Sequence, residues 1–260
     1  MKPVWPSWPA IRRRLMSKKN ILVLLDLDGT IVPIASRPKD ARLDPRTKKI
    51  LSMMTASDHI RLCVISGRSV RDLRSILGIR KLHYIGNHGF EIRIPGIPSS
   101  KIPVSPTKII KYLATAAKRF RAGSRSFLGA IFENKGHTLS LHYKNITQKD
   151  LKAFRKYCQD IRRELKALPL IWRRGKKVLE ILPDVRWNKG SAALLICDRF
   201  PDRIPVALGD DRTDEDMFRA LKRRGITVRV GRSKRSAAEY YLESQRQVKA
   251  FLLKILESRE

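Results

Sequence analysis

Acidic residues carry the first chemistry legible in this chain. Asp26 and Asp28 follow directly on the apolar run ILVLL (21–25) and precede Gly29 and Thr30. An unbroken Ile/Leu/Val run of this length, ended by Asp and Gly, predicts a central parallel strand buried on both faces. In an open parallel sheet, ligands bind beyond the carboxyl ends of the strands, so both carboxylates are expected at the mouth of one pocket. There they repel each other. A cation between them relieves that repulsion, and carboxylate oxygens suit Mg2+. Asp-Gly also punctuates ordinary strand-to-loop turns, so this segment alone does not separate a turn from a site.

Three further motifs fall at comparable places. The strand predicted over 61–65 (RLCVI) ends in Ser66-Gly67-Arg68, ahead of a helix over 69–77 that Gly78 closes. A hydroxyl and free backbone N–H groups at such a junction can bind an anion. Lys189-Gly190 opens a helix running to about residue 199. A strand over 204–208 then ends in Gly209-Asp210-Asp211-Arg212-Thr213-Asp214-Glu215-Asp216. Thr213 is expected to cap a helix over 214–224, where Asp214, Glu215 and Asp216 suit the dipole of the first turn. Asp210 and Asp211 precede that cap and lack this explanation. Together these residues supply a nucleophile, a second carboxylate to move a proton, a hydroxyl and a cation for phosphoryl oxygens, and a third carboxylate for a metal. That set suits phosphoryl transfer through an aspartyl-phosphate.

The elements that must position these groups fall into two kinds. A helix over 45–55, with Asp44 as its cap and Pro45 at its first position, joins the first two strands. A third strand within 81–94 leads into Gly86-Asn87-His88-Gly89 and Glu91. Beyond Pro95-Gly96-Ile97-Pro98 the pattern changes: helix 106–120, strands 127–133 and 138–143, helix 148–166, strands 170–172 and 177–182. Leu151, Phe154, Cys158, Ile161 and Leu165 recur at helical spacing, and the short turn 134–136 between strands argues for antiparallel pairing. The fold class is therefore α/β, a Rossmann-like parallel-sheet core with an inserted α+β (α-β-β-α-β-β) domain. Boundaries read as 1–19 for a basic lead-in with a short helix around 11–16, 20–97 with 184–260 for the core, and 98–183 for the insertion. A strand over 227–230 and a helix over 244–256 complete the core.

The motifs DLDGT (26–30), SGR (66–68), IGNHGFEI (85–92), FENKGHTLSLHYK (132–144), VLEILPDVRWNKG (178–190) and GDDRTDEDMF (209–218) resemble the haloacid dehalogenase (HAD) superfamily. More narrowly, they resemble its trehalose-6-phosphate phosphatases, over the whole chain after the lead-in. The resemblance implies Asp26 as nucleophile and Asp28 as the acid and base that serves leaving group and water. It implies Ser66 and Lys189 on the phosphoryl oxygens. Mg2+ would be held by Asp26, Asp210 and the main chain at Asp28, with Asp211 and Asp214 in support. The insertion would be the family's cap, with Glu133, Lys135 and Glu180 on sugar hydroxyls and Gly67, Arg68 and His88 also facing substrate. Two positions depart from the family pattern. Asn134 stands where an acid is common, and Lys144 where Arg commonly follows His-Tyr.

Composition bounds the alternatives. The 260 residues suffice for a sizeable core. No apolar run approaches the roughly 20 residues of a membrane span, and residues 1–20 lack the apolar stretch of a signal peptide. Cys63, Cys158 and Cys197 are odd in number, far apart and set in apolar segments, so buried, inert thiols and a cytoplasmic protein are expected. The net charge of +32 favours phosphate-bearing partners. It is spread over 2–19, 152–177 and 219–235, as on the solvated faces of helices. The expected partner is a small sugar phosphate met by a monomer. Sucrose phosphate and a mannosyl-phosphoglycerate stand beside trehalose 6-phosphate. A basic nucleic-acid-binding protein on the same scaffold is the rival of another class; it rests on charge alone, since no RNA motif, zinc finger or recognition helix is present, and the complete catalytic set argues against it, so nucleic acid is not an expected partner despite the charge.

Overall fold

The run after Asn20 lies near the middle of the larger sheet, and each of Ile21, Leu22, Val23, Leu24 and Leu25 is fully buried. The computed structural model describes residues 1–35, 37–95, 106–124, 126–175 and 177–259. In chain order β1 (Lys2–Pro3), α1 (Trp8–Leu15), β2 (Asn20–Leu25), α2 (Pro45–Ala56), β3 (Ile60–Ile65), α3 (Val70–Leu77), β4 (His83–Gly86) and β5 (Glu91–Arg93) come first. Then follow α4 (Pro106–Ser124), β6 (Ile131–Asn134), β7 (Leu139–His142), α5 (Gln148–Glu164), β8 (Leu170–Arg174) and β9 (Val178–Pro183). The chain closes with α6 (Lys189–Arg199), β10 (Arg203–Gly209), α7 (Asp214–Leu221), β11 (Ile226–Val230), β12 (Tyr240–Leu242) and α8 (Val248–Glu257). Two compact units result, 1–101 with 187–260 and 102–186.

The first unit holds an eight-stranded sheet in the order β1-β12-β11-β10-β2-β3-β4-β5. Every neighbouring pair is parallel except β4 with β5. Alternation of side chains splits β2 between two cores. Ile21, Val23 and Leu25 pack with α1, α2, α3 and α8, and Leu22 and Leu24 pack with α6 and α7. Each such side chain contributes about 1.5–3 kcal/mol by leaving water, so both faces of the strand are anchored. Leu25 lies opposite Leu208 on one side and Val64 on the other. The residues that follow each strand, Asp26, Asp210 and Ser66, therefore emerge at one end of the sheet.

The second unit is an antiparallel sheet, β6-β7-β9-β8. Leu139, Leu141, Leu179 and Ile181 pack against α4 and α5 through Leu113, Phe120, Phe154 and Cys158. Its other face aligns Glu133, Ser140, Glu180 and Arg173 in one register row.

Several expectations need correction. The basic lead-in is part of the first unit: β1 pairs with β12, and Val4, Ile11 and Leu15 are buried. Its helix starts at Trp8, since Trp8, Ile11 and Leu15 share one face that packs on the core. The strand expected from 127 begins at Ile131. The turn before it holds Gly129 at φ +90°, where a Cβ would meet the Asn145 carbonyl oxygen at 2.2 Å. Residues 184–186 stay with the second unit, where Val185 packs on its core and the Asp184 N–H donates to the Pro169 carbonyl. The boundary expected at 97 and 98 lies outside the described residues. Thr213 makes no side-chain cap, and α7 ends at Leu221. The last helix starts at Val248, after a short 3-10 turn. Cys63 and Cys158 are buried but Cys197 is half-buried; all three are unbridged. Burial still pushes Cys158 and Cys197 up to about 12, so they stay protonated thiols. Among the described residues no helix is long and apolar enough to cross a membrane.

Candidate active site

Asp26 is the first residue beyond β2 and is 4% exposed. Its N–H donates to the Leu208 carbonyl, extending the β2–β10 ladder by one step and fixing the nucleophile candidate to the sheet. Lys189, the first residue of α6, reaches it: Nζ lies 2.7 Å from Asp26 Oδ1 and 2.8 Å from Asp214 Oδ1. Two local features let it reach. Asn188 caps α6 by accepting from the Ser191 N–H, and Gly190 lets α6 approach α7, since a Cβ there would meet the Asp216 carbonyl oxygen at 2.4 Å.

Asp26, Asp210 and Asp214 each present a carboxylate oxygen within 4.8 Å of the others, and all three are buried. Burial, then Asp214 and Asp210, raise the Asp26 pKa well above the carboxylate range, against the pull of Lys189. Burial would also lower the Lys189 pKa, but Asp214 and Asp26 reverse this and raise it, so the ammonium stays charged. These four groups carry three formal negative charges and one positive, a deficit matched by a divalent cation. Hard oxygen donors of this kind fit such an ion. Asp214 serves differently from the other two. Its Oδ2 accepts the N–H groups of Asp210 and Asp211 at 3.0 and 2.9 Å while Oδ1 takes Lys189. It shapes the loop more than it complements the dipole of α7. The cluster also explains Gly29, at φ +88°, where a Cβ would lie 2.3 Å from Asp210 Oδ2.

Asp28 and Asp211 do not join this cluster. The chain leaves the strand at Leu25 and turns tightly, with the Leu27 carbonyl accepting from Thr30, Ile31 and Val32. Asp28 is thereby directed to Arg68, which takes both its oxygens at 2.6 and 2.7 Å. Two separate cations, Lys189 on Asp26 and Arg68 on Asp28, relieve the expected repulsion between the two acids. Arg68, expected on substrate, is in this structure a partner of Asp28 and of the Pro38 carbonyl. Asp211 contributes its backbone: its N–H to Asp214 and its carbonyl to Arg229.

Ser66 is 2% exposed, and its hydroxyl accepts from the Arg68 N–H at 3.2 Å. Gly67 lies under the His88 ring, whose Cε1 a Cβ would approach to 2.6 Å. His88 is buried and left-handed, at φ 57°. Glu91 secures this turn by accepting from the Val70 N–H at 2.6 Å and from the Asn87 amide. In the second unit, Glu133 accepts from His142 at 3.2 Å and lies 3.7 Å from Lys135. Glu180 sits two register positions across the sheet from Glu133.

Glu215 is the first-turn acid expected, and it meets Arg229, a residue that nothing in the motifs singled out. Arg229 in β11 donates to the Asp210 carbonyl at 2.6 Å and to Glu215 at 2.9 Å. Glu215, taken as a first-turn acid, also accepts from the Ala237 N–H. A single Arg within the apolar strand TVRV was the signal, because a half-buried guanidinium in a sheet needs partners.

Residues 24–246 match the trehalose-phosphatase family. An uncharacterized glycosyl hydrolase of Mycobacterium tuberculosis is 34% identical over 251 residues, covering 92% of this chain and 18% of that protein. A probable trehalose-phosphate phosphatase of Oryza sativa subsp. japonica is 30% identical over 248 residues, covering 92% of this chain and 66% of that protein. The chain therefore spans about a fifth of the mycobacterial relative and two thirds of the plant one. The solved C-terminal domain of Candida albicans trehalose-6-phosphate phosphatase superposes with a TM-score of 0.82 at 22% identity, covering 99% and 98% of the two chains. At that identity the likeness establishes a shared fold.

Proposed function

The chain belongs to the trehalose-phosphatase family, and on that premise we propose that it hydrolyses trehalose 6-phosphate to trehalose and phosphate through a phosphoenzyme on Asp26. The observation that carries this reading is Lys189 joining Asp26 and Asp214 at 2.7 and 2.8 Å inside a cluster of buried carboxylates.

An Asp26 oxygen attacks phosphorus while the bond from phosphorus to the sugar oxygen breaks, and Asp28 gives that oxygen its proton. Asp28 then takes a proton from water, whose oxygen bonds to phosphorus as the bond to Asp26 breaks. Phosphate leaves, Asp26 is a carboxylate again, and Asp28 again carries the proton it held before the first step. Lys189 holds one Asp26 oxygen, which directs the other toward substrate. Ser66 offers its hydroxyl hydrogen to the phosphoryl group. Mg2+ held by Asp26 and Asp210 would neutralise phosphoryl oxygens and offset the mutual repulsion of the acids. Phosphate monoesters need accelerations up to about 10²¹-fold, which demands fixed charge in a site closed to water. The second unit serves as the cap, with Glu133, Lys135 and Glu180 on sugar hydroxyls. The unbridged cysteines suit a cytoplasmic enzyme.

A phosphate-release screen over trehalose 6-phosphate, sucrose phosphate and mannosyl-phosphoglycerate, with and without Mg2+, tests the reading. Preference for trehalose 6-phosphate with Mg2+ supports it. Indifference to trehalose 6-phosphate, with turnover of another sugar phosphate, overturns the substrate and leaves the chemistry standing.

A further inference from the structure

Strands β11, β10, β2, β3 and β4 start side by side at the end of the sheet opposite Asp26 and Asp210. The five segments leading into them are 222–225, 199–202, 16–19, 57–59 and 78–82. They contain eight Lys and Arg against two Asp, 8 − 2 = +6, and all eight basic side chains are exposed. The segments are tied together. Lys18 donates to the Pro201 carbonyl at 2.6 Å, Arg203 to the His59 carbonyl at 3.0 Å, and Arg14 to the Gly225 carbonyl at 2.7 Å. Little of the charge is neutralised locally. Asp202 accepts from the Asn20 amide, and of the eight cations only Arg224 has an ion-pair partner among the described residues, Asp198 at 3.2 Å. The field reaches into the core. His83, stacked on Phe200, is held down to about 4 by burial and by Arg61, Arg203 and Arg199.

Adjacent strands lie about 4.8 Å apart, so five strand starts make a basic ridge about 19 Å long. A line of separated, hydrated cations matches a line of phosphates better than one small anion. We propose that this edge of the first unit binds the phosphate backbone of duplex nucleic acid without sequence preference. A duplex carries one charge per about 1.7 Å of axis, so the ridge faces several phosphates at once and gains by releasing their counterions. A duplex fits better than a single strand, because the one Phe, Tyr or Trp ring in the five segments, Phe200, is half-buried and engaged with His83. A membrane fits less well, since the large apolar side chain exposed in these segments is Met16, without the Trp, Phe or Leu face that inserts at an interface. This surface lies at the far end of the strands from the phosphatase site, so its role is independent of that chemistry.

The full chain is titrated into a fluorescein-labelled 20-base-pair duplex of arbitrary sequence, and anisotropy is read over a range of salt. Binding is expected to weaken linearly in log–log form. The variant Lys19→Glu/Lys222→Glu/Arg223→Glu should bind at least tenfold more weakly at about 0.1 M salt, with the slope reduced by about three. Lys152→Glu/Arg155→Glu/Lys156→Glu on α5 changes the net charge equally and should bind as the unmodified chain does. Arg80→Glu/Lys81→Glu, at the other end of the ridge, should reduce the slope by about two. Unchanged phosphate release confirms that each variant is folded. The proposal is overturned if the edge and α5 variants weaken binding alike, if no salt-dependent binding is found, or if only phosphatidylserine vesicles are retained through the edge.

Discussion

Arg68 and Asp28, 40 residues apart in the chain, are joined by a two-pronged ion pair, Nε to Oδ2 at 2.6 Å and Nη2 to Oδ1 at 2.7 Å. The same guanidinium reaches the Pro38 carbonyl at 2.8 Å. Arg68 therefore sets both the direction of Asp28 and the course of the loop beyond it. A fork of this kind is a geometric device as much as an electrostatic one.

Arg68→Lys keeps the charge and loses the fork. Proton transfer by a positioned side chain contributes about 10²–10⁴-fold, and part of that depends on orientation. The kcat for phosphate release is expected to fall about tenfold or more, while the melting temperature stays within a few degrees. Steady-state kinetics beside a thermal melt check this; an unchanged kcat would show that Asp28 needs no guide.

Asp26→Asn removes the nucleophile but keeps the shape of the side chain. It also removes the carboxyl whose pKa burial, Asp214 and Asp210 raise. Turnover should vanish while the protein folds with undiminished stability, because Lys189 retains Asp214 at 2.8 Å. Residual phosphate release at the unmodified rate would remove Asp26 from the mechanism.

Arg229 braces the acidic loop from beneath, holding the Asp210 carbonyl and Glu215. Without it Glu215 keeps only the Ala237 N–H among the partners described. Truncating one partner of a buried ion pair costs about 3–5 kcal/mol, and less here because Arg229 is 17% exposed. Arg229→Gln should lower stability by about 2 kcal/mol and weaken Mg2+ binding measured by calorimetry on the metal-free protein. In the unmodified protein Mg2+ should raise the melting temperature, and chelation should reverse the rise. Full Mg2+ affinity in the variant would confine Arg229 to a structural role.

His83 makes stability depend on pH. Both its ring nitrogens lack hydrogen-bond partners among the described residues, and burial with three nearby guanidiniums lowers its pKa from 6.5 to about 4. The unfolded chain thus binds a proton between these values that the folded one refuses. Stability is full above pH 6.5 and falls as the pH drops toward 4, by about 2 kcal/mol between pH 7 and 5. Denaturant melts at the two pH values should show this loss, and His83→Phe should remove most of it while keeping the stack on Phe200.

Some of this was legible before any coordinates. Asp44 does cap α2, Gly78 does end α3 in the left-handed conformation, and the period of α5 does bury Leu151, Phe154, Cys158 and Ile161. Each depends on neighbours a few residues away, which a linear reading contains. The lead-in escaped that reading because its core contacts, Val4, Ile11 and Leu15, are sparse among charges and gain meaning only beside β12 and α8.

Residue order alone placed Asp26, Ser66 and Asp210 at one end of a parallel sheet, because an apolar run of strand length stops at or one residue before each of them; Lys189 was marked instead by the helix it opens. How the charges are shared is settled by folding. Lys189 stands between Asp26 and Asp214, Arg68 takes Asp28, and Arg229 supports the loop of Asp210. Electrostatic energy depends on separations of a few ångströms between groups far apart in the chain. Residue order constrains which groups meet, and the packing of α6 against α7 sets which of them touch.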